Sequence, residues 1–272
     1  MTFSIVARSA DGQSWGVAVA SKFLAVGSAV PAAVAELGAI ATQADANVAY
    51  KGQALALLDE GATAQVALDR VLDDDPGRES RQVGIVDAEG NAATHTGSEC
   101  FDWAGGRTAP NVAAQGNILT GPEVVDAMMS AFADSDPELP LARRLLIALM
   151  AGDQAGGDKR GRQSAALLVV QDGAGYGGQD DVATDLRVDD HVDPLGELAR
   201  LLELSELYLT ASTDAEKVPI SATLAGEIDT LVRRAGHADL NEWVGTNNYE
   251  MRVAADGSWI DERVLQILRQ ES

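Results

Sequence analysis

Basic residues are scarce in this chain. Its 272 residues carry 20 lysines and arginines against 42 aspartates and glutamates, a formal net charge of −22. Phosphate binding depends on clustered cations, so nucleic acid and anionic lipid surfaces are excluded as partners. Acidity of this kind reads as solubility or adaptation to salt. Cysteine is rarer still: Cys100 stands alone, which rules out an intramolecular disulfide framework. No apolar run reaches the length of a membrane span. The first residues lack the basic–apolar–small pattern of a signal peptide, because Arg8, Asp11 and Gln13 interrupt it. The expectation is therefore a cytoplasmic protein with no membrane partner. GxSxG, HExxH and CxxC are also missing, and no GxGxxG opens a helix. That removes the usual serine-hydrolase, zincin, redox and dinucleotide readings, and no cofactor is expected.

What is present is an ordinary globular core, with 46% hydrophobic residues. The runs 2–8 (TFSIVAR) and 14–20 (SWGVAVA) flank Asp11-Gly12 and read as a β-hairpin. Both are continuously apolar, which predicts cover on both faces. Further strands are expected at 28–35, 38–43, 82–87, 91–96, 111–115, 164–171 and 183–189. Helices are expected at 48–60 and at 63–73, where Ala64, Ala67, Leu68, Val71 and Leu72 form one stripe. A second helical pair begins at Thr120-Gly121-Pro122 and at 138, burying Met128, Phe132, Leu145 and Leu149. Strands gathered into sheets, with paired helices outside, give an α+β fold, a four-layer αββα sandwich.

From Asp193-Pro194 a helix runs to about 210, with Leu195, Leu198 and Leu202 on one stripe. Its wide apolar face suits docking on a core or on a second copy, so a homodimer is expected. Residues 211–221 read as a linker, and 222–272 as a small helical domain with Trp243 and Trp259 in its core.

Several places can carry chemistry. Thr2 follows the initiator methionine, and removal of Met1 frees an α-amine that can serve as base for the hydroxyl of its own residue. Position alone favours an ordinary strand start. Thr42, Gln43, Asp45 and Asn47 lie at a strand-to-helix junction, where amides hold an oxyanion or cap a helix equally well. Gln115 and Asn117 flank Gly116 in a second polar turn. The stretch 156–170 (GGDKRGRQSAALLVV) holds the densest basic cluster: Asp158, Lys159, Arg160 and Arg162. Its guanidinium groups either bind a substrate carboxylate or pair with nearby aspartates. Asp189, Asp190 and His191 are weak candidates for a divalent cation, since alternate residues of a strand end face apart.

The blocks TFSIVAR, WGVAVASKFLAVGSAVP, GAIATQADAN, GRESRQVGIVDAEG, AQGNILTG, GGDKRGRQSAALLVV and DLRVDDHVDPLGEL together resemble a bacterial family of unknown function, domain family 1028. The resemblance covers about residues 2–210 and implies an N-terminal-nucleophile (Ntn) hydrolase-like fold. The segments around Asn241-Glu242-Trp243 and Gly257-Ser258-Trp259-Ile260-Asp261 resemble a small module labelled peptidoglycan-binding. By this resemblance Thr2 is the nucleophile of an amidohydrolase for a small amide- or peptide-like substrate. Lys22 is then the nearest basic group, Gln43 and Asn47 assist catalysis, and Gln115, Asn117, Asp158, Arg160 and Arg162 bind substrate. A muropeptide is the ligand implied for the tail. The chain departs from Ntn enzymes around VPAAVAEL, which holds Glu36 where those enzymes place a lysine. The alternative is a non-catalytic binding or assembly protein on the same scaffold.

Overall fold

A computed structural model describes residues 2–271. It divides into two compact units at Leu202/Glu203. The first begins with the hairpin β1 (Thr2–Arg8) and β2 (Ser14–Ser21), then α1 (Val26–Ala29), β3 (Pro31–Val34) and β4 (Gly38–Ala44). The helices α2 (Ala49–Asp59) and α3 (Ala64–Asp73) precede β5 (Arg81–Asp87), β6 (Ala92–Thr96), β7 (Gly105–Ala109) and β8 (Val112–Asn117). A second helical pair, α4 (Glu123–Asp134) and α5 (Leu141–Gln154), leads to β9 (Ser164–Gln171), β10 (Val182–Val188) and α6 (Pro194–Leu209).

One sheet has six strands in the order β10-β9-β2-β1-β8-β7, and the other has four, β3-β4-β5-β6. Strand periodicity decides where each side chain goes. Phe3, Ile5 and Ala7 face outward onto α4, α5 and the start of α6, in a core that includes Met128, Leu145, Leu149 and Leu198. Val6, on the opposite face of β1, meets Val17, Val19, Ala39, Ala41 and Val86 between the sheets. Ile40, Val83 and Ile85 close the other side against α2 and α3. Two helices, two sheets and two helices make the four-layer αββα sandwich, and the fully covered β1 and β2 account for their unbroken apolar runs.

Local differences from the sequence reading have local causes. The expected strand 28–35 begins instead as α1, after Ala25 turns the chain through a left-handed conformation (φ 52°), and pairing starts at Pro31. Strand β7, GGRTA, was not expected, since two glycines and an exposed edge leave no apolar pattern. The leucine stripe of α6 is used inside the chain. Leu195, Leu198 and Leu202 enter the first unit's core, so the stripe offers no face to a second copy.

The second unit comprises the end of α6, β11 (Lys217–Pro219), α7 (Ala222–Arg234), α8 (Leu240–Asn247), β12 (Trp259–Asp261) and α9 (Glu262–Gln270). Strand β11 lies within the stretch expected to be a linker and pairs with β12. The helix expected from 258 therefore starts at Glu262, where the Asp261 carboxylate accepts the Arg263 amide at 2.9 Å. Trp243, Ile228, Val232, Val264 and Leu268 form its core. Arg252 is buried there, donating to Asp261 Oδ2 at 2.9 Å and to the Leu207 carbonyl at 3.0 Å.

Candidate active site

The layer between the two sheets changes character along the strands. One end is valine and alanine, and the other is built of amides and hydroxyls. Thr2 faces Asn117 across β1 and β8, Ser4 faces Gln115 on the same pair, and Ser21 faces Ser164 across β2 and β9. From the second sheet, Gln43 faces Gln82 across β4 and β5. All of these side chains are buried. Burying amides is tolerable only when each is paired, and here they pair with one another. Gln115 Nε2 donates to Ser4 Oγ at 2.7 Å, and Ser4 Oγ donates to Gln43 Oε1 at 2.6 Å. Gln82 is the hub. Its Oε1 accepts from Gln43 Nε2 at 2.8 Å and from Asn117 Nδ2 at 2.9 Å. Its Nε2 donates to the Gly116 carbonyl at 2.7 Å and to Thr96 Oγ1 at 2.9 Å. Gly84 makes this layer possible, because a Cβ there would lie 2.0 Å from Gln115 Oε1.

Thr2 sits at the edge of this network. It is 6% exposed, its Oγ1 lies 3.1 Å from Ser21 Oγ, and its carbonyl accepts from Gln43 Nε2 at 3.3 Å. Met1, whose removal the nucleophile reading requires, lies outside the described residues. Ser21 in turn lines a narrow cleft with Phe3, Ala20, Ser164 and Leu195. That cleft shares Asp153, Asp158, Gly161 and Arg162 with an open recess of about 240 Å³, which Gly156 and Val192 complete. The Thr2 hydroxyl is thus one side chain removed from the cleft that adjoins the recess.

The structure gathers some of the expected residues and separates others. Thr2, Gln43, Gln115 and Asn117 meet in one network, while Asp158 and Arg162 line the recess. Lys22 is exposed. Its amide donates to Asp158 Oδ2 at 2.8 Å, and its Nζ donates to the Arg162 carbonyl at 3.3 Å. Arg160 returns to Asp158 at 3.3 Å, and Arg162 grips Asp153 with two bonds of 2.8 and 2.7 Å. Both arginines therefore make the local pairs that were the alternative to substrate binding. Asn47 lies elsewhere, donating to Asp75 Oδ2 at 3.2 Å and accepting the Ala49 amide at 3.2 Å. Asp75 also accepts from Arg81 Nε at 2.9 Å and from Tyr50 Oη at 2.7 Å. The Arg81 guanidinium, then the Tyr50 hydroxyl and the Gly77 amide, hold the Asp75 carboxyl well below the usual carboxylate range. Burial, then the same carboxylate, pushes the Tyr50 phenol well above its own. Among the described residues, no group of three or more His, Cys, Asp or Glu can hold a metal ion. His191 Nδ1 lies 2.8 Å from the Asp193 carbonyl and 3.1 Å from the Asp193 amide.

Gln82 was missed by sequence reasoning. It opens the run QVGIV as an apparent strand cap, and only its register with Gln43 shows that it points between the sheets.

The fold is thus a four-layer αββα sandwich with one polar strand end between its sheets. Residues 2–198 match the model of a family described as "Family of unknown function (DUF1028)", and the chain belongs to that family. Residues 223–268 match a second model, described as "Putative peptidoglycan binding domain". A solved protein of the same family from Silicibacter pomeroyi is 33% identical, with 78% of this chain and 90% of that one covered and a TM-score of 0.68. More distant are an Anbu mutant from Hyphomicrobium sp. strain MC1, 10% identical over 75% of this chain and 96% of that one with a TM-score of 0.35, and Anbu from Yersinia bercovieri, described as an ancestral beta-subunit, 10% identical over 75% and 94% with a TM-score of 0.34. No curated protein matches the chain. No helix among the described residues is long and apolar enough to cross a membrane.

Proposed function

We propose that the sandwich is an Ntn-type amidohydrolase for a small amide- or peptide-like substrate, with Thr2 as nucleophile. One observation carries this reading: the Thr2 hydroxyl, at the start of the buried strand β1, lies 3.1 Å from the hydroxyl of Ser21, which lines the cleft adjoining the recess. With its α-amine free, Thr2 Oγ1 attacks the amide carbonyl while the amine takes the hydroxyl proton. The same proton passes to the departing amine, and water then cleaves the ester. Gln43 Nε2 donates to Gln82 and to the Thr2 carbonyl, and Asn117 Nδ2 donates to Gln82, so both hold the strand end around the nucleophile. Substrate enters past Arg162 and Val192. The second unit, on the strength of its family match, holds a muropeptide-like ligand.

The test combines intact-mass analysis with turnover of a panel of aminoacyl and acyl-peptide amides. The expected active species lacks Met1, and Thr2→Ala abolishes turnover while Thr2→Ser keeps part of it. Active protein that retains Met1, or unchanged turnover in Thr2→Ala, overturns the reading. A second reading, a non-catalytic binding protein, is favoured by the burial of Thr2 and by an amide network bonded within itself. It predicts muropeptide binding without turnover in protein that has lost Met1.

A further inference from the structure

Strand β10 ends the six-stranded sheet, and β9 is its partner. Its outer edge is open, and most of its side chains are exposed. Open edges recruit other strands unless charge prevents it. Here Asp185 and Arg187 lie on one face of the strand, joined by bonds of 2.9 Å from Arg187 Nε and Nη2. We infer that two copies of this chain pair antiparallel along β10, about a two-fold axis at Leu186, and join their six-stranded sheets into one.

The register follows from symmetry. A two-fold axis normal to a sheet keeps every residue on its own face, so facing residues must be an even number apart in sequence and the allowed registers are spaced accordingly. Centred on Asp185, the pairing sets that carboxylate against its own copy. Centred on Arg187, it opposes two guanidinium groups and sets Asp185 against Asp189 of the partner subunit. Centred on Leu186, Asp185 faces Arg187 of the partner subunit on both sides of the axis. Like charges directly opposite destabilise a pair and opposite charges support it, so the central strand admits the Leu186 register and rejects its two neighbours. The register shift between Val182 and Thr184 limits the regular ladder to residues 184–188.

A ladder this short gives a concentration-dependent dimer rather than an obligate one.

Sedimentation velocity over a wide concentration range tests this, with circular dichroism confirming that each variant folds. The wild-type chain should move from 28.4 kDa towards twice that mass as concentration rises. Arg187→Asp, which sets like charges opposite each other, should remain at the single-chain mass, and the double swap Asp185→Arg with Arg187→Asp should restore the dimer. As a register check in a Cys100→Ser background, a mixture of Asp185→Cys and Arg187→Cys proteins should cross-link on mild oxidation, and neither should do so alone. A wild-type chain that stays monomeric throughout overturns the inference. So does a dimer that survives Arg187→Asp, a charge swap without rescue, or a mixture that fails to cross-link.

Discussion

Gln82 and Asp75 show how much a single buried polar residue organises when its neighbours supply every bond. Gln82 ties three strands of two sheets together, and Asp75 ties α2 to the ends of β4 and β5 through Tyr50, Asn47 and Arg81. Neither role is legible from residue type, because glutamine at a strand start and aspartate after a helix are ordinary surface choices. Asn47 accepts the Ala49 amide at the start of α2, and its second bond to Asp75 depends on a fold that returns residue 75 to the same corner. The depressed carboxyl of Asp75 has a consequence for acid stability. A carboxylate held below its unfolded value of about 3.9 adds stability that is fully present above that pH and is lost as pH falls through the folded value. Asp75→Asn should therefore cost about 3 kcal/mol at pH 7, the order expected for breaking a buried charged pair. The gap between mutant and wild type should narrow steadily below about pH 4. Urea titrations across that range check this, and a gap that stays constant into acid would show that the carboxylate's charge is not what stabilises the corner.

At the scale of elements, legibility followed the strength of the local pattern. The hairpin β1–β2 and the helix pairs were readable because continuous apolar runs and a 3.6-residue stripe are strong signals. Strands β7, β11 and β12 were not: the last two are three residues each, and β7 is held by pairing with β8 rather than by burial of its own. Helix α6 shows a correct element whose stripe had two readings, the chain's own core or a second copy. Its leucine stripe was legible, but its partner was not, and the stripe fills the chain's own core instead of waiting for a second copy. Leu198→Ala should accordingly lose about 2–5 kcal/mol, the cost of a cavity in a packed core. Ile147 on α5 is 40% exposed, and its replacement by alanine should cost no more than about 1 kcal/mol. The midpoint of urea unfolding, at unchanged slope, separates the two, and equal losses would mean that α6 packs loosely.

For the molecule as a whole, charge sets the terms. The acidic excess runs through both units, and 20 cations cannot neutralise 42 carboxylates whatever the geometry. The cations that are used make local pairs, such as Arg107 with Asp126, Arg200 with Glu197 and Arg269 with Glu227. Exposed pairs of this kind contribute about 0–1 kcal/mol each, and salt weakens them. The surplus carboxylates repel one another over distances comparable with the Debye length, about 10 Å at 0.1 M ionic strength, and salt weakens that repulsion as well. With the negative charges in such excess, relief of repulsion outweighs loss of pairing. Raising sodium chloride from about 0.02 M to about 0.5 M should therefore increase Tm by a few degrees, against the trend of a protein held together by surface ion pairs. Calorimetry at fixed pH and protein concentration measures this directly. A Tm that falls with salt would mean that the local arginine–carboxylate pairs contribute more than the whole acidic surface takes away.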